Sequence, residues 1–309
     1  MIRFGFDQFG GPDVFQAIDA PIPQPKPNQV QLNVLGFGLN PYDASLRRGE
    51  QAANRPLPWP IVPGTDVVGR VTAVGADVST LAPGDLVLNY RPIGGYSETV
   101  TASASKVFRV PDTLGLAAAA GLPNAAVAAY TVMTQLLALP AGATLAVVGA
   151  SGAVGGLIVQ LAKAQGLTVI ATASARNRAA VLALGADEFG AYDQEDTGTH
   201  FANHADAVVN AVNGGQDHGA AVQIVRPGGV LVTTAFVDVD LSTKPDVSHR
   251  QLGADRPAKA EDALPALLAL PDLTVQVATT LPFTVAGVQQ GHALLDTHHA
   301  AGKLVVMRE

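Results

Sequence analysis

The segment VVGASGAVGG, residues 147–156, sets glycine at 149, 152, 155 and 156 between two apolar runs, TLAVV (144–148) before it and GLIVQLAKAQG (156–166) after it. A glycine cluster of this kind is either a tight strand-to-helix turn without a ligand or a turn whose backbone N–H groups cradle a phosphate. The flanks favour the second reading. A run short enough for a buried strand leads in, a helix-like stretch leads out, and a second apolar run, TVIATAS (168–174), follows at about the distance a strand–turn–helix–strand unit requires.

Outward from this unit the alternation continues. RNRAAVLALGA (176–186) reads as helix, ADAVVNAV (205–212) and GGVLVTTAF (228–236) as strands, and QDHGAAVQIVRP (216–227) is helix-compatible between them. Strand and helix in turn predict a parallel, doubly wound sheet with a dinucleotide on the glycine turn. The spacing departs from G-x-G-x-x-G, because Ala150 stands where a glycine is usual, leaving Gly149, Gly152 and Gly155. Gly152 is expected where a side chain would block backbone approach to phosphate, and Gly155 where the helix starts close to the strand. The expected pyrophosphate cradle is Gly149, Ser151, Gly152, Ala153, Val154 and Gly155.

The end of the second strand distinguishes the dinucleotides. An NAD site places a carboxylate there, whereas Ala173, Ser174, Ala175, Arg176, Asn177 and Arg178 contain none. A hydroxyl and two guanidinium groups suit a 2′-phosphate, so Ser174, Arg176 and Arg178 point to NADPH rather than NADH. The plainer alternative is a pair of solvated arginines at a helix start.

The chain's 309 residues predict two domains. Nineteen Lys and Arg against 26 Asp and Glu give a net charge of −7, and no basic run offers a track for nucleic acid. Cysteine is absent, which removes disulfides, thiolate nucleophiles and cysteine-ligated zinc. The start, MIRFGFDQFGGPDVF, shows no basic segment followed by a long apolar one, so the cytoplasm is the expected location. Residues 113–162 carry no formal charge, but Pro123, Asn124, Pro140, Gly142 and the glycine turn are expected to chop that run into core elements rather than a membrane span.

The first hundred residues are dense in glycine and proline around β-like pieces such as VQLNVLGFG (30–38) and VVGRVTAVG (67–75). Helix formers begin at Ala117. Past Pro271 the β-like texture returns in TVQVATTLPF (274–283) and GKLVVMRE (302–309), so the tail is expected to rejoin the first domain.

The segments GFGLNPYDASLRRG (36–49), IVPGTDVVGRVTAVG (61–75), APGDLV (82–87), GGYSETV (94–100), AAAAGLPNAAVAAYT (117–131), the glycine turn, LGAD (184–187) and GKLVV (302–306) occur in one order along nearly the whole chain. In these the sequence resembles the medium-chain dehydrogenase/reductase superfamily, within it the zinc-independent quinone oxidoreductase group. The resemblance implies an α/β protein. Residues 1–118 and 272–309 would form a GroES-like, partly open β-barrel catalytic domain, and 119–271 a Rossmann domain with a doubly wound parallel sheet, the active site lying in the cleft. It implies dimers as well, formed by pairing a Rossmann edge strand, for which 230–236 is the candidate.

Zinc alcohol dehydrogenases of that superfamily carry Cys where Asn40 stands and His where Thr65 stands. Here all seven histidines lie at or beyond His200, and the loose group His292, His298 and His299 does not share one helical face, so no metal is expected. Without a Lewis acid, oxidation of simple alcohols is disfavoured, while a quinone or α,β-unsaturated carbonyl can take hydride directly. Asn40, Tyr42 and Asp43 occupy the segment resembling the family's active-site loop. Asn40 is the candidate donor to the substrate oxygen, Tyr42 a proton donor or pocket wall, and Asp43 a group that orients Arg47 or backbone. Thr131 is the candidate contact to the nicotinamide, with Asn124 and Val127 on the same helix, and Tyr96 and Asn89 are further candidates to reach the cleft. Ser45 and Gln51 replace tyrosines found in some members.

Two other functions fit the same residues. One is a catalytically silent dinucleotide-binding sensor or a structural, RNA-binding relative. The other is an enoyl-thioester reductase, for which Arg47, Arg48 and Arg55 would meet the carrier's phosphates.

Overall fold

The computed structural model describes residues 1–91, 93–297 and 302–308. The chain falls into two compact units, Met1–Asn124 with Val277–Glu309, and Ala125–Gln276. In chain order the first segment forms β1 (Ile2–Gly5), β2 (Gln16–Asp19), β3 (Gln29–Leu39), α1 (Pro41–Arg47), β4 (Asp66–Val74), β5 (Leu86–Tyr90), β6 (Thr99–Ser103), β7 (Val107–Arg109) and α2 (Leu116–Thr131). The middle forms β8 (Thr144–Val148), α3 (Ala153–Ala164), β9 (Thr168–Ala173), α4 (Arg178–Ala183), β10 (Glu188–Ala191), α5 (Thr197–His200), β11 (Ala205–Asn210), α6 (Ala220–Ile224), β12 (Val225–Thr233), β13 (Ser248–Gln251) and α7 (Ala260–Leu268). The closing segment forms β14 (Val277–Pro282), α8 (Val285–Asp296) and β15 (Lys303–Met307).

Long strand β3 organises the first unit. Its alternating pattern buries Val30, Leu32 and Val34, and at eleven residues it is long enough to serve two partners along one edge. β6 pairs with 29–33 and β15 with 36–39, while β4 takes the other edge, giving a seven-stranded sheet ordered β14-β15-β3-β4-β5-β7 with β6 beside β3. The last strand of the chain thus lies beside a strand from its first forty residues. Phe4, Phe6, Phe15, Phe37 and Tyr96 fill the core, with Tyr96 stacked on Phe37 at 4.4 Å between ring centroids.

The second unit holds six strands in the order β10-β9-β8-β11-β12-β13, every neighbouring pair parallel. The chain winds from β8 outward to β10 and then from β11 outward to β13. This is the expected doubly wound sheet, with the order reversing between β8 and β11 above the glycine turn.

Two expectations are corrected. β12, which takes up 230–233 of the expected edge strand, is not an edge: β13 covers it, and the β13 residues Ser248, His249 and Arg250 are exposed and polar, where the sequence showed no strand-like run. Pro123 does not break its helix, because α2 runs through it and continues as a π-helical turn to Leu136. Proline removes its own bond to the preceding turn and crowds the carbonyls there. The next amide, Asn124 N–H, finds another acceptor, donating to Asp66 Oδ1 at 2.7 Å. The helical run Leu116–Leu136 is long and apolar enough to cross a bilayer, but 67% of its apolar window is buried inside the protein, as in a core helix.

Candidate active site

In the second unit the glycine turn is pinned to β9, Gly149 and Ala150 each donating an N–H to Thr172 O at 3.0 Å. Gly149 has φ +84°, open to glycine at little cost. A Cβ at Gly155 would sit 2.4 Å from Gly149 O and 3.0 Å from Ala150 Cα, so α3 begins this close to the turn only with glycine there. At Gly152 a Cβ would meet only Gly149 O, at 3.3 Å. Glycine at 152 therefore serves little within the fold and keeps the space before the helix open. Gly152 is also the N-cap of α3 and provides no side-chain acceptor, so the first-turn N–H groups of Ala153, Val154 and Gly155 end the helix uncapped, beside a half-buried Ser151. Uncapped amides and a positive helix end fit a pyrophosphate.

At the end of β9 the two arginines behave differently. Arg178 is laid over the Phe189 ring, 4.8 Å from its centroid. Arg176 is exposed and makes no hydrogen bond or ion pair among the described residues. Ser174 is buried, and its Oγ accepts from Asn177 Nδ2 at 2.9 Å. An acid absent from the local sequence window does reach this place: Asp193, just past β10, accepts the Ala175 N–H at 2.8 Å. Thr131 Oγ1 is engaged within the fold. Its hydroxyl donates to Val127 O at 2.6 Å and accepts from Ala258 N–H at 3.0 Å, closing the end of α2 onto the segment before α7.

In the first unit, Asn40 ends β3 and caps α1, whose first residue is Pro41. Asp43 is fully buried and accepts three hydrogen bonds at 3.0 Å, from Asn40 N–H, Gly64 N–H and the Tyr96 hydroxyl. It orients backbone, as one reading had it, but not Arg47, and it has no surface to offer a substrate. Burial, aided by the nearby Asp66 charge and opposed by these hydrogen bonds, pushes its carboxyl up to about 6. Tyr96 and Asn89 are likewise interior, Asn89 donating to Lys106 O and Tyr90 O.

Tyr96 also meets His292 Nε2 at 3.2 Å. Because the tyrosine proton goes to Asp43, Nε2 is the protonated nitrogen of a neutral ring. Burial, with the charges of Arg47 and Arg48, pushes His292 down to about 3. The sign follows: the unfolded chain takes up a proton below pH 6.5 that the folded chain refuses, so this contribution to stability is lost as pH falls. Between pH 7 and 5, His292→Gln is expected to gain about 2 kcal/mol on the wild type in urea unfolding, and parallel stability curves would contradict this. Asp43 acts with the opposite sign between about pH 4 and 6 in both proteins and cancels in the comparison. His298 and His299 lie outside the described residues.

The arginines considered for a carrier's phosphates are engaged. Arg47 is buried and paired with Asp296 at 2.7 Å, and Arg48 bonds Glu50 and Asp296. Arg55 donates to the Tyr42 hydroxyl at 2.7 Å, leaving that half-buried phenol its own proton to give.

Asn40 sits in a buried polar cluster that sequence reading missed. Its Nδ2 donates to Thr65 Oγ1 and to Asp66 Oδ2, both at 3.0 Å, and its Oδ1 accepts from Lys303 Nζ at 2.5 Å. Lys303 also pairs with Asp66 Oδ2 at 2.8 Å, both side chains shielded from solvent. Both amide protons of Asn40 are thus committed, so it is not placed to donate to a substrate oxygen. The positions resembling two zinc ligands are an amide and a hydroxyl bonded to each other beside an ammonium group. That donor set does not fit zinc, which takes thiolate, imidazole or carboxylate. Among the described residues no three His, Asp or Glu side chains gather as a metal site. The residue types were visible, Asp66 after Thr65 in PGTD and Lys303 after Gly302 in GKLVV, but no local pattern joins them to Asn40.

Residues 26–139 match the family profile described as "Alcohol dehydrogenase GroES-like domain", and residues 153–256 the one described as "Zinc-binding dehydrogenase". The chain belongs to the medium-chain dehydrogenase/reductase superfamily, in its quinone oxidoreductase-like group. It is 35% identical over 224 residues to the chloroplast envelope quinone oxidoreductase homolog of Arabidopsis thaliana, covering 66% of each chain. To the quinone oxidoreductase of Mus musculus it is 34% identical over 220 residues, 70% of this chain and 63% of that one. The matches therefore span just under two thirds of these relatives' length. The solved quinone oxidoreductase of Coxiella burnetii is similar over 99% of both chains, with a TM-score of 0.82 and 29% identity.

Proposed function

We propose that the protein is a reductase that uses NADPH to deliver hydride to a quinone or an α,β-unsaturated carbonyl, without a metal. The observation that carries the metal-free part is the Asn40–Thr65 hydrogen bond at 3.0 Å, which joins an amide and a hydroxyl at the two positions that family resemblance assigns to zinc ligands. The uncapped turn at Gly152 supports the dinucleotide, and the likeness to quinone oxidoreductases supports the acceptor class.

In this reading Ser151, Gly152, Ala153, Val154 and Gly155 hold the pyrophosphate, and Arg176 meets the 2′-phosphate. When bound, the dinucleotide supplies the hydride. Arg176→Ala is expected to raise the Kd for NADPH by roughly 10- to 100-fold and to leave NADH within a few-fold. Arg178→Ala has the smaller effect, since its guanidinium is engaged on Phe189. Equal losses for both dinucleotides in a fluorescence titration would overturn the assignment.

The acceptor is tested by following NADPH consumption with a simple quinone, a short 2-enal and the coenzyme A thioester of an enoic acid. Quinone or enal is expected to turn over in preference to the thioester, because Arg47 and Arg48 are held in ion pairs. Tight NADPH binding with no turnover of any acceptor would favour the sensor reading.

A further inference from the structure

Among the described residues the Asn40 cluster leaves two donors not firmly spent, the third N–H of Lys303 and the Thr65 hydroxyl, and of the two the hydroxyl is the one that receives a polarising bond. Asp66 Oδ2 receives Lys303 and Asn40, and Oδ1 receives Asn124 N–H at 2.7 Å. Thr65 Oγ1 accepts from Asn40, and its own proton reaches Asp66 Oδ1 only at 3.4 Å, far beyond the usual 2.7–2.8 Å of a hydroxyl bond. Thr65 is buried, with 6% of the residue's surface exposed.

The order of the bonds gives this proton its character. The Lys303 ammonium sits on Asn40 Oδ1 and draws electron density through the amide, which strengthens Nδ2–H as a donor to Thr65 Oγ1. A hydroxyl that accepts a strengthened hydrogen bond gives a stronger one. Away from bulk water this runs as a relay of polarisation from a fixed cation to a single O–H. Gly38 leaves the room for it, since a Cβ there would lie 2.8 Å from both Asp66 Oδ2 and Ala120 O.

We propose that Thr65 O–H is the hydrogen-bond donor to the acceptor's carbonyl oxygen, with Lys303 and Asn40 as positioning residues that polarise it. The inference rests on the reductase reading and replaces Asn40 by Thr65 as the group that touches substrate. As hydride adds to a ring carbon of a quinone, or to the β-carbon of an enone, a C–H bond forms and the dinucleotide is oxidised. The electron pair displaced from the conjugated system collects on oxygen. Thr65 stabilises that charge without giving up its proton, and the proton that completes the reduced product comes from water.

The test uses Thr65→Val, which keeps the shape and loses the hydroxyl, beside Thr65→Ser, which restores it. Thr65→Val is expected to lower kcat roughly 100-fold at unchanged Kd for NADPH, and Thr65→Ser to recover within a few-fold. The double variant Asp66→Asn, Lys303→Met removes the cation without leaving a lone buried charge. It is expected to lower kcat in the wild-type background and to change it little when Thr65→Val is already present, because the relay acts only through that hydroxyl. A Thr65→Val enzyme with wild-type kcat would overturn the proposal, as would a loss from the double variant of equal size in both backgrounds. No turnover by the wild type with any quinone or enone would instead overturn the reductase reading, and this inference with it.

Discussion

Gly152→Ala is expected to yield a folded protein that binds a dinucleotide far more weakly, with Kd for NADPH and NADH raised together by roughly 100-fold or more, if the residue gives the pyrophosphate the backbone approach proposed for it. The fold tolerates the methyl group: its single close neighbour would be Gly149 O at 3.3 Å, and φ of −74° suits any residue. Gly155→Ala is expected to fail differently. Its methyl would be driven against Gly149 O at 2.4 Å, pushing α3 off the turn at a cost of about 1–3 kcal/mol of stability as well as binding. Urea unfolding and dinucleotide titration on both variants separate the two glycines. Equal destabilisation by both would mean that Gly152, too, is a packing residue.

The second large effect concerns the buried pair Asp66–Lys303. Lys303→Met alone removes one charge and strands the other, with an expected loss of about 3–5 kcal/mol, and Asp66→Asn alone is expected to cost a similar amount. Changing both leaves neither charge of the pair stranded, and most of the loss is expected to return. Asp66 also anchors Asn124 N–H, which an asparagine oxygen can still accept, so the proline-interrupted turn of α2 keeps its outside partner in the double variant. Additive losses in denaturant unfolding would show that the two side chains act independently.

The parallel sheet was legible because its strands are buried on both faces and read as apolar runs between helical stretches. β13 was not, because Ser248, His249, Arg250 and Gln251 form an exposed edge without such a run. Pro123 misled because the amide that follows it, Asn124 N–H, finds a tertiary acceptor in Asp66, 58 positions earlier in sequence, which no local rule anticipates. The same distance problem governs the site. The glycine turn is contiguous and could be read directly, whereas the Asn40 environment joins residues 40, 65, 66 and 303, and Asp193 meets the end of β9 from the next strand. Asn40, Asp43 and Thr131 have suitable side chains for the roles first read for them. Their hydrogen bonds within the fold, which only three-dimensional contacts reveal, commit them elsewhere.

The most direct test of the central claim is NADPH oxidation by protein stripped with a chelator and exchanged into metal-free buffer, offered a simple quinone, with zinc added back in a parallel sample. Metal-independent hydride delivery predicts turnover in the stripped protein and no gain from zinc. Activity that vanishes on stripping and returns with zinc would contradict it.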